Sequence, residues 1–176
     1  MSIIFHEGSK TFHLFNDEIS YIMCVLPNGN LGNLYFGKKI HDREEFSYLL
    51  EIKQRAMSAC VCEGNRKFSM EHLKLEYPVY GSSDYRYPAV EILQENGSRI
   101  SEFRYTGYSV TEGKPKLPGL PATYTESEKE AQTLCVRLKD ELTGIVLELF
   151  ILFFHRREFW QEVPDLLMKE VLRFIC

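Results

Sequence analysis

The chain has 176 residues, 44% of them hydrophobic and 26% charged, with a formal net charge of −4. That length and apolar content support one domain with its own core and exclude a disordered chain. An acidic balance with no basic run excludes a partner held through phosphate contacts, so no nucleic acid is expected.

At the start, Met1–Lys10 lacks a positive segment followed by a long apolar one, so no signal peptide is expected. Thr11–Phe15 alternates and Ile19–Leu26 is dense in Ile, Tyr and Val; both are predicted strands. Pro27-Asn28-Gly29-Asn30 reads as a turn, because Pro fixes φ and Asn-Gly accepts positive φ. Leu34-Tyr35-Phe36 returns as the next strand and closes a hairpin. Asp42–Gln54 is predicted as a short helix. Asp42 would be its N-cap, Glu44 and Glu45 fall in its first turn, and Phe46, Leu49 and Leu50 follow at helical spacing.

Ala56–Met70 reads as a loop. Glu76–Pro88 holds two Pro, one Gly and four Tyr and is an ordered, irregular connection. Ala89–Leu93, Arg99–Tyr105 and Tyr108–Thr111 are strand candidates, with Glu95-Asn96-Gly97 turning between the first two. Gly113–Pro121, with three Pro and two Gly, is extended. Thr133–Lys139 and Ile145–Phe150 flank a turn at Asp140–Gly144. Many short strands separated by turns imply an all-β sandwich or barrel.

At Phe150 the character of the chain changes. Ile151–Phe154 extend the apolar run, His155–Glu158 bring charge, and Pro164-Asp165 could start a helical tail with Leu167, Val171 and Leu172 on one face. The apolar run Ile145–Phe154 carries Glu148 and is too short to span a bilayer, so no membrane association is expected. Five cysteines in an unexported chain point to reduced thiols and the cytoplasm.

Chemistry-bearing motifs are sparse. Cys60-Val61-Cys62 has only His72 near it, short of the four ligands that zinc sites use, so no metal and no other cofactor is expected. No nucleophile elbow, dinucleotide fingerprint or phosphate loop occurs. His13, inside an alternating strand, reads as a packed or surface residue, and Glu126–Glu130 as a solvated face. The most suggestive cluster is Asp84-Tyr85-Arg86, between Tyr80-Gly81 and Tyr87-Pro88. A carboxylate, a guanidinium and aromatic faces are what a sugar site uses. The same residues would also serve as an internal Asp–Arg pair pinning an irregular loop under tyrosines.

Four stretches go beyond pattern. They are Phe12–Asn16 with Ile19-Ser20-Tyr21, Asn28–Lys38 (NGNLGNLYFGK), Glu76–Ala89 (EYPVYGSSDYRYPA), and Leu117–Tyr124 (LPGLPATY) with the hairpin after it. In this order and spacing they closely resemble the N-terminal domain of family 36 glycoside hydrolases, the bacterial α-galactosidases, over roughly Ile3 to Phe150. The resemblance implies a galactose-mutarotase-like β-supersandwich placed ahead of a (β/α)8 catalytic barrel. It also implies cleavage of terminal α-galactosides of the raffinose and melibiose type with retention, by two barrel aspartates. Residues 1–176 hold no counterpart of the W-D-x-N-R-like motif around the family nucleophile, so no catalytic residue is assigned and no activity is expected from the chain alone.

The resemblance further implies that loops of this domain reach a neighbouring subunit's pocket. The matching positions lie in Arg55–Phe68 and at Asp84, Tyr85 and Arg86, which makes these three the candidate substrate-binding residues. The expected partners are α-galactoside sugars and a second copy, meeting through an apolar barrel-facing surface. A free-standing carbohydrate-binding module is the alternative.

The family text stops near Phe150. Read from the third base of the Phe150 codon, one set of allowed codons gives Y-S-L-L-P-S-K-G-V-L-A-R-S-T-R-F-A-N-E-G, a credible family continuation. The expected organisation is therefore a β-sandwich domain over 1–150 and an out-of-frame tail over 151–176.

Overall fold

The computed structural model describes residues 2–52, 61–62, 65–81, 87–115, 125, 127–155 and 160–167. Four strands come first: β1 (Ser2–His6), β2 (Thr11–Phe15), β3 (Ile19–Val25) and β4 (Leu31–Lys38). They form an antiparallel sheet in the order β1-β2-β3-β4. The short strands β5 (Val61–Cys62) and β6 (Asn65–Ser69) pair with each other. Then β7 (Arg104–Glu112), β8 (Ala131–Lys139), β9 (Val146–Phe154) and β10 (Trp160–Leu167) build a second antiparallel sheet in the order β10-β9-β8-β7.

The two sheets face each other. Phe12 and Leu14 of β2, and Ile19, Tyr21 and Met23 of β3, share one buried cluster with Leu134, Val136 and Leu138 of β8. Leu147, Leu149, Ile151 and Phe153 of β9 complete it. Side chains two apart point to one face of a strand, so this alternation sets the register. Each fully buried Leu or Phe contributes roughly 1.5–3 kcal/mol. The sandwich expected from the sequence is therefore the fold observed.

The first sheet is covered on its other face as well. Cys24 packs with Leu26, Phe68 and Met70, while His13 and Ser20 lie under Phe46 and the segment around Asp42, fully buried. Ala131, Leu152 and Phe154 form a separate buried cluster on the second sheet's other face.

The β3–β4 hairpin turns where expected. Leu26 donates to the Asn30 carbonyl (2.8 Å) and Gly29 to the Leu26 carbonyl (2.8 Å). Gly29 sits at φ 89°, which a side chain would strain. The turn also joins the sheets, since the Tyr105 backbone donates to the Gly29 carbonyl and Nδ2 of the Asn30 side chain to the Phe103 carbonyl. The Glu95–Gly97 turn is present too, closed by Gly97 on Gln94 at 2.9 Å.

Besides the reading of Ala56–Met70 as a loop, which the pairing of β5 with β6 overturns, four expectations are corrected. The helix over Asp42–Gln54 is only a 3₁₀ turn at Ser47–Leu49; residues 53 and 54 lie outside the described residues. Asp42 does not cap it, because buried histidines take its carboxylate. Second, Pro164-Asp165 start no helix. They lie inside β10, Pro164 opposite Leu149 and Asp165 opposite Glu148. The free edge of β9 offers a row of backbone partners, and proline is tolerated on an edge strand. Residues 168–176 lie outside the described residues. Third, the strand expected at Arg99–Tyr105 begins only at Arg104, and Ser101 makes an isolated parallel bridge to Gly81. Fourth, Ala89–Leu93 is no strand; its single bridge joins Val90 to Val79.

Candidate functional site

Asp84, Tyr85 and Arg86 lie outside the described residues, but both stems of their loop are placed. Ala89 donates to the Pro78 carbonyl at 2.8 Å, and Val79 bridges Val90 in parallel. Ser101 donates to the Tyr80 carbonyl at 3.2 Å. Gly81 sits at φ 95°, and a Cβ there would stand 2.8 Å from Cγ1 of Ile100. Only glycine allows the chain to turn at this point. Tyr77 and Tyr80 are half-buried and Tyr87 is 89% exposed. Beside the stem, Asn30, Leu31, Tyr77, Val79 and Phe103 line a cleft with room for about one water molecule. The residues on either side of 82–86 are therefore fixed to each other and to Ser101.

A second polar cluster was not read from the sequence. His13 is 0% exposed; its Nδ1 lies 2.6 Å from Oδ1 of Asp42 and its Nε2 3.0 Å from Oγ of Ser20. Ser20 Oγ accepts the Ile40 amide at 3.0 Å. His6 Nε2 reaches the same Asp42 oxygen at 3.0 Å, and its Nδ1 faces Glu44 Oε2 at 3.5 Å. Burial pushes the His13 imidazole below its ordinary range, against the pull of Asp42. Burial also opposes the Asp42 carboxylate, yet the hydrogen bonds from His13 and His6 overcome it and hold that carboxyl below its ordinary range. Hydroxyl, imidazole and carboxylate stand in the order of a nucleophilic triad. Here the hydroxyl is buried and occupied by the Ile40 amide, so the chain of bonds fastens the segment after β4 to the sheet. Its sequence signal was weak: two polar residues, His13 and Ser20, on one face of two apolar strands.

A third cluster surrounds Glu76. Tyr21 donates to Oε1 of Glu76, and the Asn33 amide donates to Oε2 at 2.9 Å. Burial raises the Glu76 carboxyl, and the Tyr21 and Asn33 hydrogen bonds only partly offset it. Asp140 is used as a turn cap: Oδ1 accepts from Leu142 and Thr143 at 2.9 and 3.2 Å, and Oδ2 from Glu102 at 3.1 Å. Asp42, Glu76 and Asp140 are thus each bonded to protein donors.

The Cys60-Val61-Cys62 motif and His72, from which no metal is expected, are placed only in part. Cys60 lies outside the described residues, Cys62 is on β5, and His72 is on a 3₁₀ turn. Among the described residues no group of three or more His, Cys, Asp or Glu is placed to hold a metal ion. Among them, too, no helix is long and apolar enough to cross a membrane.

Fold and clusters together define a two-sheet antiparallel sandwich whose described polar networks serve its own architecture. The model of the glycosyl hydrolase family 36 N-terminal domain matches residues 29–158. Alpha-galactosidase AgaA of Geobacillus stearothermophilus is 39% identical over 149 residues, 85% of this chain and 20% of that protein. Alpha-galactosidase Mel36A of Lactobacillus acidophilus is 33% identical over 159 residues, 88% of this chain and 21% of that protein. The crystal structure of the α-galactosidase from Lactobacillus brevis superposes with a TM-score of 0.87 at 34% identity, over 93% of this chain and 22% of that one. The chain belongs to glycoside hydrolase family 36 and corresponds to its N-terminal domain. It spans about a fifth of the length of these relatives.

Proposed function

We propose that residues 1–176 form the non-catalytic N-terminal sandwich of an α-galactosidase and do not hydrolyse α-galactosides by themselves. The observation that carries this is the match of the family's N-terminal domain to residues 29–158, in a chain spanning about a fifth of its relatives. The bonded carboxylates described support it, since Asp42, Glu76 and the buried Asp140 each accept from protein donors. Retaining glycosidases need two carboxyls about 5–5.5 Å apart flanking the bond. The test is an assay of the purified chain with a chromogenic α-galactoside. No release is expected; turnover that persists on repurification would refute the proposal.

Within a complete enzyme, the loop holding Asp84, Tyr85 and Arg86 is assigned to the border of the sugar pocket. Its fixed stem and neighbouring tyrosines support that placement. The relative AgaA carries raffinose in one crystal structure and stachyose in another, each as an AgaA variant. Calorimetry of the isolated chain with galactose, melibiose and raffinose separates the roles. No heat at millimolar sugar is expected for a loop that needs the rest of the enzyme, whereas binding would make the chain a carbohydrate-binding module. Self-association through a barrel-facing apolar surface follows from the same reading, and sedimentation measures it.

The shifted-frame reading supports assigning 151–176 to out-of-frame sequence after a sandwich domain over 1–150. The packing of Ile151–Phe154 in the sandwich and the family match to residue 158 weigh toward a later boundary. Genomic DNA beyond the Cys176 codon decides: barrel motifs in the other frame support the frameshift, and their absence removes it. The free, buried thiols of Cys24 and Cys135 fit a reducing compartment, in keeping with the cytoplasm.

A further inference from the structure

We propose that the segment Lys39–Leu50 is fastened over the outer face of the first sheet by an acid-sensitive latch, in which Asp42 is gripped between His6 and His13.

The latch is a chain of single bonds. The Asp42 side chain is 29% exposed, while the two imidazoles are 7% and 0% exposed. Both imidazoles address one oxygen, Oδ1, at 3.0 and 2.6 Å. Phe46, 0% exposed, closes the site with its ring 5.2 Å from that of His13. The far end of His13 meets Ser20 Oγ, which in turn holds the Ile40 amide. One protonation pattern satisfies every atom. Neutral His13 donates from Nδ1 to Asp42 and accepts at Nε2 from the Ser20 hydroxyl, and that hydroxyl accepts from Ile40.

Acid disturbs this pattern at a defined atom. A proton on Nε2 of His13 turns an acceptor into a donor, and the Ser20 hydroxyl hydrogen must swing away inside a buried site. The added charge has one carboxylate to neutralise it, already shared with His6. The surrounding charges are mixed. From the segment itself, Glu44 faces His6, Lys39 stands 5.6 Å over the Phe15 ring and pairs with Asp17 at 3.8 Å, and Arg43 lies over Tyr48 at 6.0 Å. From the sheet, β1 contributes His6, β2 His13 and β3 Ser20. The His13 value lies below the ordinary 6.5. The sign follows: stabilisation by neutral His13 is complete above 6.5 and is lost as pH falls from there toward the folded-state value.

The test is amide hydrogen exchange on the purified chain at about pH 7.5 and about pH 5, corrected for intrinsic exchange. Protection of Ile40 and Leu49 is expected to fall by roughly tenfold or more at the lower pH while the amides of β8 keep theirs. In Asp42→Asn the same two amides are expected to be weakly protected at both values, with little pH response. Unchanged protection of Ile40 and Leu49 in the wild type overturns the latch. So does a loss shared equally by β8, which is global unfolding, or an Asp42→Asn variant that responds to pH like the wild type. The wild-type comparison decides by itself if the variant does not fold.

Discussion

The side-chain amide of Asn16 donates to the backbone carbonyl of Phe154 at 3.0 Å, across 138 residues of chain. The same side chain accepts from the amides of Glu18 and Ile19, both at 2.8 Å, and so builds the β2–β3 turn. One buried residue therefore fixes a local turn and ties the first sheet to the end of β9. Asn16→Ala leaves the Phe154 carbonyl and two turn amides without this partner. Its expected cost is about 1–3 kcal/mol, the scale of a buried group losing a hydrogen-bond partner. Urea denaturation measures it. Asn16→Asp keeps the turn acceptor but loses the donor, and also destabilises by placing a carboxylate against a carbonyl.

The stretch after Phe150 carries weight in the fold. Phe153 is 0% exposed in the inter-sheet core, whereas Leu142 is 87% exposed in the Asp140–Gly144 turn. Phe153→Ala is expected to cost about 3–5 kcal/mol and Leu142→Ala within about 0.5 kcal/mol of nothing. Equal urea midpoints for the two variants would contradict the packing of β9.

Stability should depend on pH through opposing groups. His13, lowered, costs stability as pH falls below 6.5; Asp42, lowered, costs more below 3.8. Glu76 acts the other way. Its carboxyl is raised by burial, so its contribution is full below 4.5 and lost as pH rises above that through the folded-state value. Glu76→Gln removes this compensation. On acidification from neutral pH toward 4.5, its urea midpoint should fall more steeply than that of the wild type. Identical slopes would show that Glu76 does not titrate differently on folding.

Gly81→Ala combines a positive φ with a 2.8 Å approach to Ile100. A cost of about 1–3 kcal/mol is expected, with faster exchange at Ser101, whose amide bonds the Tyr80 carbonyl. In a complete enzyme, the place proposed for Asp84–Arg86 beside the sugar pocket predicts that the same change also weakens binding of α-galactosides, because Gly81 immediately precedes that segment. A rise in KM larger than that of a variant elsewhere in the sandwich with an equal fall in folding midpoint is the readout.

Local chemistry made much of this fold legible. Pro27–Asn30 turns because of its residue types, β2 follows from alternation, β3 from its Ile, Tyr and Val, and β8 and β9 from the turn they flank, none of which needs a partner to be seen. The family was legible for a related reason: short irregular stretches such as Glu76–Ala89 keep order and identity that periodicity alone would not demand. Asp42–Gln54 misled because its apolar spacing is helical, while Asp42 has buried imidazoles to satisfy and Phe46 has a fixed place over His13. Pro164 misled because a helix start and an edge strand both suit a residue without an amide hydrogen.

By itself, the sequence determined that this chain is a sandwich of short antiparallel strands, that it belongs with the N-terminal domain of family 36, and that Phe150 marks a change of character. Those are properties of turns, alternation and motif order, all local. Only the tertiary structure decided that the strand runs through Phe150 to Phe154, that Asn16 binds its end, and that His6, His13 and Asp42 meet. The reason is physical: whether a strand edge or a buried imidazole finds a partner depends on residues far away in sequence, and their approach is set by packing the whole sandwich.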